Sequence, residues 1–357
     1  MADDAQVRKA LEAVIDPELK RNLVELGMVK DIQIQDGRVG VTVALTTPAC
    51  PLSSQIEDDV RREVMDLPGV RQVDVTFGTL SADERLKALG GEDEEPSPAQ
   101  RLSRIGRVVA VMSGKGGVGK SLVTATLAVS LARQGLKVGI LDADITGPSI
   151  PKMFGLSEKA DFSETGIFPV ASRLGVRVVS MNLLLPEEDM PVIWRGPLVA
   201  GAIKQFWTDV VWGDLDYLLV DMPPGTSDAP LTVMQSLPLA GAIMVSSPQD
   251  LAGMVVRKAV RMAVNMKVPV LGVVENMSFF TAPDTGNRYE IFGPSRGDEL
   301  ARAANAPLLA RLPLDPVITA LCDAGRVEDY ESEELRSLTT AFFAVAAARE
   351  IAAARRG

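Results

Sequence analysis

The sequence predicts an α/β protein: a mostly parallel sheet flanked by helices, preceded by a small α+β domain. Three observations carry this. From Arg104 onward, near-continuous apolar strands alternate with amphipathic helices, the pattern of a parallel sheet covered on both faces. Before residue 81, short strands, a hairpin signal and two helical stretches form a compact unit of another kind. Between them, GGEDEEPSPAQ combines a glycine pair, four successive acids and two prolines, which resist helix and strand and suit a solvated linker. The 357 residues therefore divide into a domain at 1–80, a linker at 81–103 and a larger domain at 104–357.

Within the first domain, Val7 to Val14 has helical spacing and Asp16-Pro17 breaks it. Val29 to Ile34 and Val39 to Leu45 flank Asp36-Gly37, a two-residue hairpin signal. Pro51 to Leu67 reads as a helix and Val70 to Phe77 as a strand. In the second domain the strands are RVVAVMSG, KVGILDAD, VRVVSMN, YLLVDMPP, GAIMVSSP, VPVLGVVENMS and PLLARLPLD. The Ala-rich stretch Ser332 to Arg356 favours helix. Its Leu335, Leu338, Phe342, Val345 and Ala346 fall at helical spacing and suit packing on the sheet. A membrane-surface helix would need a basic polar face, and here the basic residues gather at the end.

Composition excludes whole classes of chemistry. Without histidine there is no Ser-His-Asp or Cys-His catalysis and no His-ligated zinc or haem. Cys50 and Cys322 alone cannot supply the four thiolates of a zinc site or an ordinary iron-sulfur cluster from one chain. A charge of -10 and a pI near 4.8 oppose non-specific binding to nucleic acid or anionic lipid, so neither is expected as a partner. The charged first 25 residues do not read as a signal peptide, and no apolar run reaches a membrane span. With so few cysteines, a cytoplasmic location is expected.

The chemistry-bearing segment is Gly114-Lys115-Gly116-Gly117-Val118-Gly119-Lys120-Ser121, which fits G-x-x-x-x-G-K-[ST] after a strand and before a helix. Such glycines turn backbone N–H groups toward phosphate oxygens, and the helix N-terminus adds positive potential. ATP with Mg²⁺ is the expected ligand. Lys120 is expected at the β- and γ-phosphates and the Ser121 hydroxyl on the metal. Lys115 is a second cation in the loop, either solvated or placed across a two-fold interface to neutralise charge during phosphoryl transfer. Ligands collect at the carboxyl ends of parallel strands, where Asp142, Asp144 and Asp221 lie. Asp221 is expected to hold Mg²⁺, Asp142 to support it and Asp144 to orient the attacking water, a helix cap being the plainer role for the last two. Gly225 is expected to sense the γ-phosphate through its N–H, and Asn276 to read the adenine edge or serve only as a turn residue.

Taken together, SGKGGVGKS, LDADITGPSIP, VIWRGP, DYLLVDMPPGTSD and ENMSFF resemble the Mrp/ApbC family of P-loop iron-sulfur cluster carriers, within the deviant-Walker-A ATPases. Asp16-Pro17-Glu18, the segment from Glu25 to Val29 and that from Thr46 to Pro51 are similar to the metal-sulfur-cluster assembly domain often fused to them. The resemblance implies a homodimeric ATPase that binds a cluster at its interface, receives it from donors and passes it to apoproteins, with Lys115 acting across the dimer. Many members carry C-x-x-C after E-N-M-S. Here those positions are Ala282 and Thr285, neither a thiolate. Cys50 precedes a proline at the start of a helix, where its thiolate would be favoured, and is either a cluster ligand or a small buried residue. Cys322 follows Ile318 at helical spacing and suits packing. A partition-type ATPase working on DNA or membrane, and a regulator that has lost its cluster, are the alternative functions.

Overall fold

The computed structural model describes residues 3–16, 21–35, 37–45, 53–80, 97–145, 147–184 and 196–354. The chain forms two compact units, Met1–Glu95 and Pro96–Gly357.

The first unit has two helices, α1 (Asp4–Leu11) and α2 (Ser53–Met65), and three strands, β1 (Val29–Gln35), β2 (Arg38–Leu45) and β3 (Gln72–Thr79). Asp3 starts α1 with a capping box in which its carboxylate accepts from the Gln6 amide. β1 and β2 pair antiparallel, and β3 joins β2 in parallel. β2 is central, and its Val39, Val41 and Val43 are buried with Val7, Leu11, Ile56 and Val60 from the helices. Each such side chain contributes roughly 1.5–3 kcal/mol of transfer free energy. Cys50 lies outside the described residues, as do residues 81–96 of the expected linker. The end of that linker differs from expectation. Ser97 caps a short helix, α3 (Pro98–Arg101), with Ala99 buried, so these residues belong to the second unit.

In the second unit the helices continue as α4 (Lys120–Arg133), α5 (Ile150–Phe154), α6 (Gly196–Thr208), α7 (Asp228–Ser236), α8 (Asp250–Asn265), α9 (Gly297–Ala304), α10 (Pro316–Asp323) and α11 (Glu333–Ala354). The strands are β4 (Arg104–Ser113), β5 (Val138–Asp142), β6 (Asp161–Ser163), β7 (Gly166–Phe168), β8 (Val170–Ala171), β9 (Arg177–Val179), β10 (Asp214–Asp221), β11 (Leu239–Ser246), β12 (Val270–Glu275), β13 (Phe280–Thr281), β14 (Arg288–Tyr289) and β15 (Leu308–Arg311). Eight of them form one sheet in the order β15-β12-β11-β4-β10-β5-β9-β8, parallel throughout except for β8 against β9.

Both faces of this sheet are buried, which explains why its strands read as unbroken apolar runs. Val108, Ala110 and Met112 of β4 pack on one face with Leu218 and Val220, while Val109 and Val111 pack on the other with Leu219 and Ile243. α11 covers the second face. Leu335, Leu338 and Phe342 are buried there, and the Phe342 ring meets Tyr217 edge-on at 5.4 Å. No helix among the described residues is long and apolar enough to cross a membrane.

Candidate nucleotide site

β4 is the fourth-inward strand of the sheet and delivers the glycine loop at its carboxyl end. The chain turns through Gly117 and Gly119, whose φ angles of 77° and 78° are left-handed, and enters α4 at Lys120. A Cβ at Gly119 would sit 2.1 Å from the Asn276 amide nitrogen, so only glycine fits there. Around Gly117 there is nothing within 4 Å. Among the described residues, the amide groups of Gly117, Gly119, Lys120 and Ser121 have no backbone partner. A run of unspent donors at the start of a 14-residue helix is a cradle for an anion.

Beneath the loop, the register of the sheet brings the acids together. Asp221 of β10 pairs directly with Asp142 of β5, and both are fully buried. Lys120 turns its ammonium inward, 2.8 Å from Asp221 Oδ2 and 4.0 Å from Asp144 Oδ2, and is 5% exposed. Ser121 Oγ donates to Asp221 Oδ2 at 2.5 Å and receives from Lys120 Nζ at 3.3 Å. Thr124 Oγ1 donates to the other Asp221 oxygen at 2.8 Å. A buried carboxylate so enclosed is costly to strip of its partner, by roughly 3–5 kcal/mol.

The four positions Lys120, Ser121, Asp144 and Asp221 are thus gathered as the sequence suggests, and Thr124 joins them. Its signal was its place one helical turn after Lys120. Three other expected residues have hydrogen-bond partners of their own within the protein. Asp142 accepts from Ser180 Oγ at 3.1 Å and from the Asp144 amide at 3.3 Å, wholly out of solvent. Burial, and next the charge of Asp221, push its carboxyl well above the usual range, so it is a support beneath the site. Asn276 is 2% exposed and donates its side-chain amide to the Val118 carbonyl at 2.9 Å, holding the loop from below. Gly225 spends its N–H on the Ser113 carbonyl at 3.1 Å, as its left-handed φ of 91° turns the chain back on β4.

Lys115 is partly exposed at the rim, where Nζ donates to Gln249 Oε1 at 2.6 Å. Gln249 carried no local signal, since it stands 134 residues away.

The segment aligned with C-x-x-C is the turn between β13 and β14. Ala282 accepts from the Gly286 amide at 2.8 Å and donates to Asn287 at 2.9 Å. Thr285 is exposed, and its hydroxyl accepts from the Asn287 amide at 3.4 Å. Cys322 is half-buried in α10, and desolvation, with Asp323 adding to it, pushes its thiol up to about 11. Among the described residues no group of three or more acids or cysteines is placed to hold a metal ion.

A parallel sheet whose inner strand runs through a glycine cradle into a helix, over a lysine clasped by a strand-end aspartate, defines a P-loop nucleoside-triphosphatase. The description of the NUBPL iron-transfer P-loop NTPase matches residues 104–348, and that of an iron-sulfur cluster assembly protein matches residues 4–76. The chain belongs to the NUBPL iron-transfer P-loop NTPase family. It is 42% identical over 341 residues to the iron-sulfur cluster carrier protein of Synechocystis sp., covering 93% of this chain and 94% of that one. The protein of the same name from Deinococcus radiodurans is 45% identical over 324 residues, with 90% and 88% covered. Among solved structures, a nucleotide-binding protein from Archaeoglobus fulgidus in complex with ADP is 51% identical, with a TM-score of 0.59, 65% of this chain and 90% of that one covered. The cell division ATPase MinD of Pyrococcus furiosus shares the fold at 23% identity, with a TM-score of 0.50, 66% of this chain and 97% of that one covered.

Proposed function

We propose that this chain binds and hydrolyses ATP in order to carry iron-sulfur clusters, taking them from donors and delivering them to apoproteins as a cytoplasmic homodimer. The observation that carries the nucleotide half is the row of unspent amides over the Lys120, Ser121 and Asp221 cluster. Support for the cargo comes from the family and from the relatives named as cluster carriers.

The phosphates lie in the amide cradle, and Lys120 moves from Asp221 to the β- and γ-oxygens. Mg²⁺ fits the site because a cation already sits between its two oxygens: Lys120 Nζ bridges Ser121 Oγ and Asp221 Oδ2. Those two residues would hold the ion, which when bound neutralises charge on the phosphate oxygens. Asp144, close to Lys120 and partly open, orients the attacking water and accepts its proton. Lys115 offers its ammonium to a nucleotide in the second subunit.

The cluster is cargo, and the hairpin at Ala282 and Thr285 offers it no thiolate. Cys50 from two chains supplies part of the coordination in this reading, with another donor or a small thiol completing it. Anaerobic reconstitution with iron and sulfide tests it. The expected result is labile sulfide bound by the natural chain, lost in Cys50→Ala, and transferred to an apoprotein faster with ATP. A natural chain that takes up no iron overturns the cargo half, and no heat on titrating Mg-ATP overturns the nucleotide half.

A further inference from the structure

The two lysines of the glycine loop are divided in their attachments. Lys120 faces inward to Asp221, whereas Lys115 reaches out to Gln249, the residue immediately before α8. The reach is set by packing. Gly114 lies so close to α8 that a Cβ there would come within 2.5 Å of the Val255 carbonyl carbon. Loop and helix start are therefore fixed against each other, with Lys115 and Gln249 bridging their open rim. The acceptor is a neutral amide, which orients an ammonium without the attraction of a full charge and yields it to a phosphate oxygen.

We propose that Gln249 is a holding residue for Lys115. It retains the ammonium against its own subunit while no γ-phosphate is presented, and releases it when a triphosphate in a second copy of the chain arrives. Gln249 is a positioning residue that touches no phosphate. The proposal rests on the reading above in which Lys115 works across a dimer.

Steady-state ATP turnover and ADP affinity of the full chain test it in three variants. Gln249→Glu gives the ammonium a charged partner, so turnover falls about two- to fivefold at low salt, and most of the loss disappears in roughly 0.5 M salt as the exposed pair is screened. Gln249→Ala frees the ammonium and turns over at least as fast as the natural chain. ADP lacks a γ-phosphate, and its affinity stays within about twofold in both variants, which a merely structural role for Gln249 would not allow. Unaltered turnover in Gln249→Glu, slower turnover in Gln249→Ala, or weakened ADP binding in either overturns the holding role. Lys115→Ala separates the two readings. Full turnover in that variant sinks the dimer reading itself, whereas an inactive Lys115→Ala beside an unaffected Gln249→Glu sinks only the holding role.

Discussion

Two turns in the second unit, one at the carboxyl end of β4 in the large sheet and one between β13 and β14 of a separate two-stranded sheet, treat their backbone in opposite ways. In the glycine loop, the amides of Gly117, Gly119, Lys120 and Ser121 find no backbone partner among the described residues, and the side chains beneath are charged and buried. In the turn after β13, Ala282 bonds Asn287 and Gly286, the Thr285 amide donates to Asp284 Oδ1 at 2.8 Å, and Asn287 donates to Thr285 Oγ1. The first turn leaves its donors for a ligand. The second closes on itself and needs none to hold its shape. Gly117 is exposed and Gly119 and Ser121 partly so, and donors that water can reach at a helix start are the ones a phosphate can take over.

The sharpest way to break this contrast is Lys120→Ala. Mg-ATP affinity should fall by more than about 100-fold, because a charge-assisted contact is lost and Asp221 is left buried without its cation. Calorimetric titration measures it, with circular dichroism to confirm the fold. Asp144→Ala should come next: binding is retained while turnover drops on the order of 10²–10⁴-fold, the range of a lost general base. Equal turnover would mean another group orients the water.

A pair of glycine substitutions sharpens the comparison directly. Gly119→Ala forces a Cβ to 2.1 Å from Asn276 and strains a left-handed φ, so it should weaken nucleotide binding and cost about 1–3 kcal/mol of stability. Gly286→Ala has the same kind of φ, 70°, with nothing within 4 Å. It should cost only about 1 kcal/mol and leave nucleotide affinity untouched, as denaturant melts and titration would show. The smallest effect concerns Asp142. A carboxyl whose folded pKa is raised weakens the fold increasingly as pH climbs above its unfolded value, and not below it. Asp142→Asn should therefore melt higher than the natural chain near neutral pH, with the two curves meeting as pH falls toward 4.

The covered parallel sheet and the loop were legible because they rest on local patterns: unbroken apolar runs for strands buried on both faces, and a glycine motif between strand and helix. The order of the strands in the sheet was not, since crossovers leave no local mark. The antiparallel pairing of β1 with β2 and the packed face of α11 were readable from local patterns too. Asp142, Gly225 and Asn276 show where such reading ends. Position at a strand's carboxyl end says that a side chain is near the ligand, but not whether its hydrogen bonds are already committed to Ser180, Ser113 or Val118. The capping box at Ser97 and Gln100 was present in the sequence but hidden by the acidic, proline-rich composition around it. Gln249 had no sequence signal at all, since only folding brings it to Lys115.

The clasp of Lys120 by Asp221 bears on what any ligand of the cradle must bring with it. Because Lys120 neutralises Asp221 from within the same chain, the deepest charge of the cradle has its counter-charge built into the fold. A ligand that draws Lys120 away must therefore supply a counter-charge of its own for Asp221.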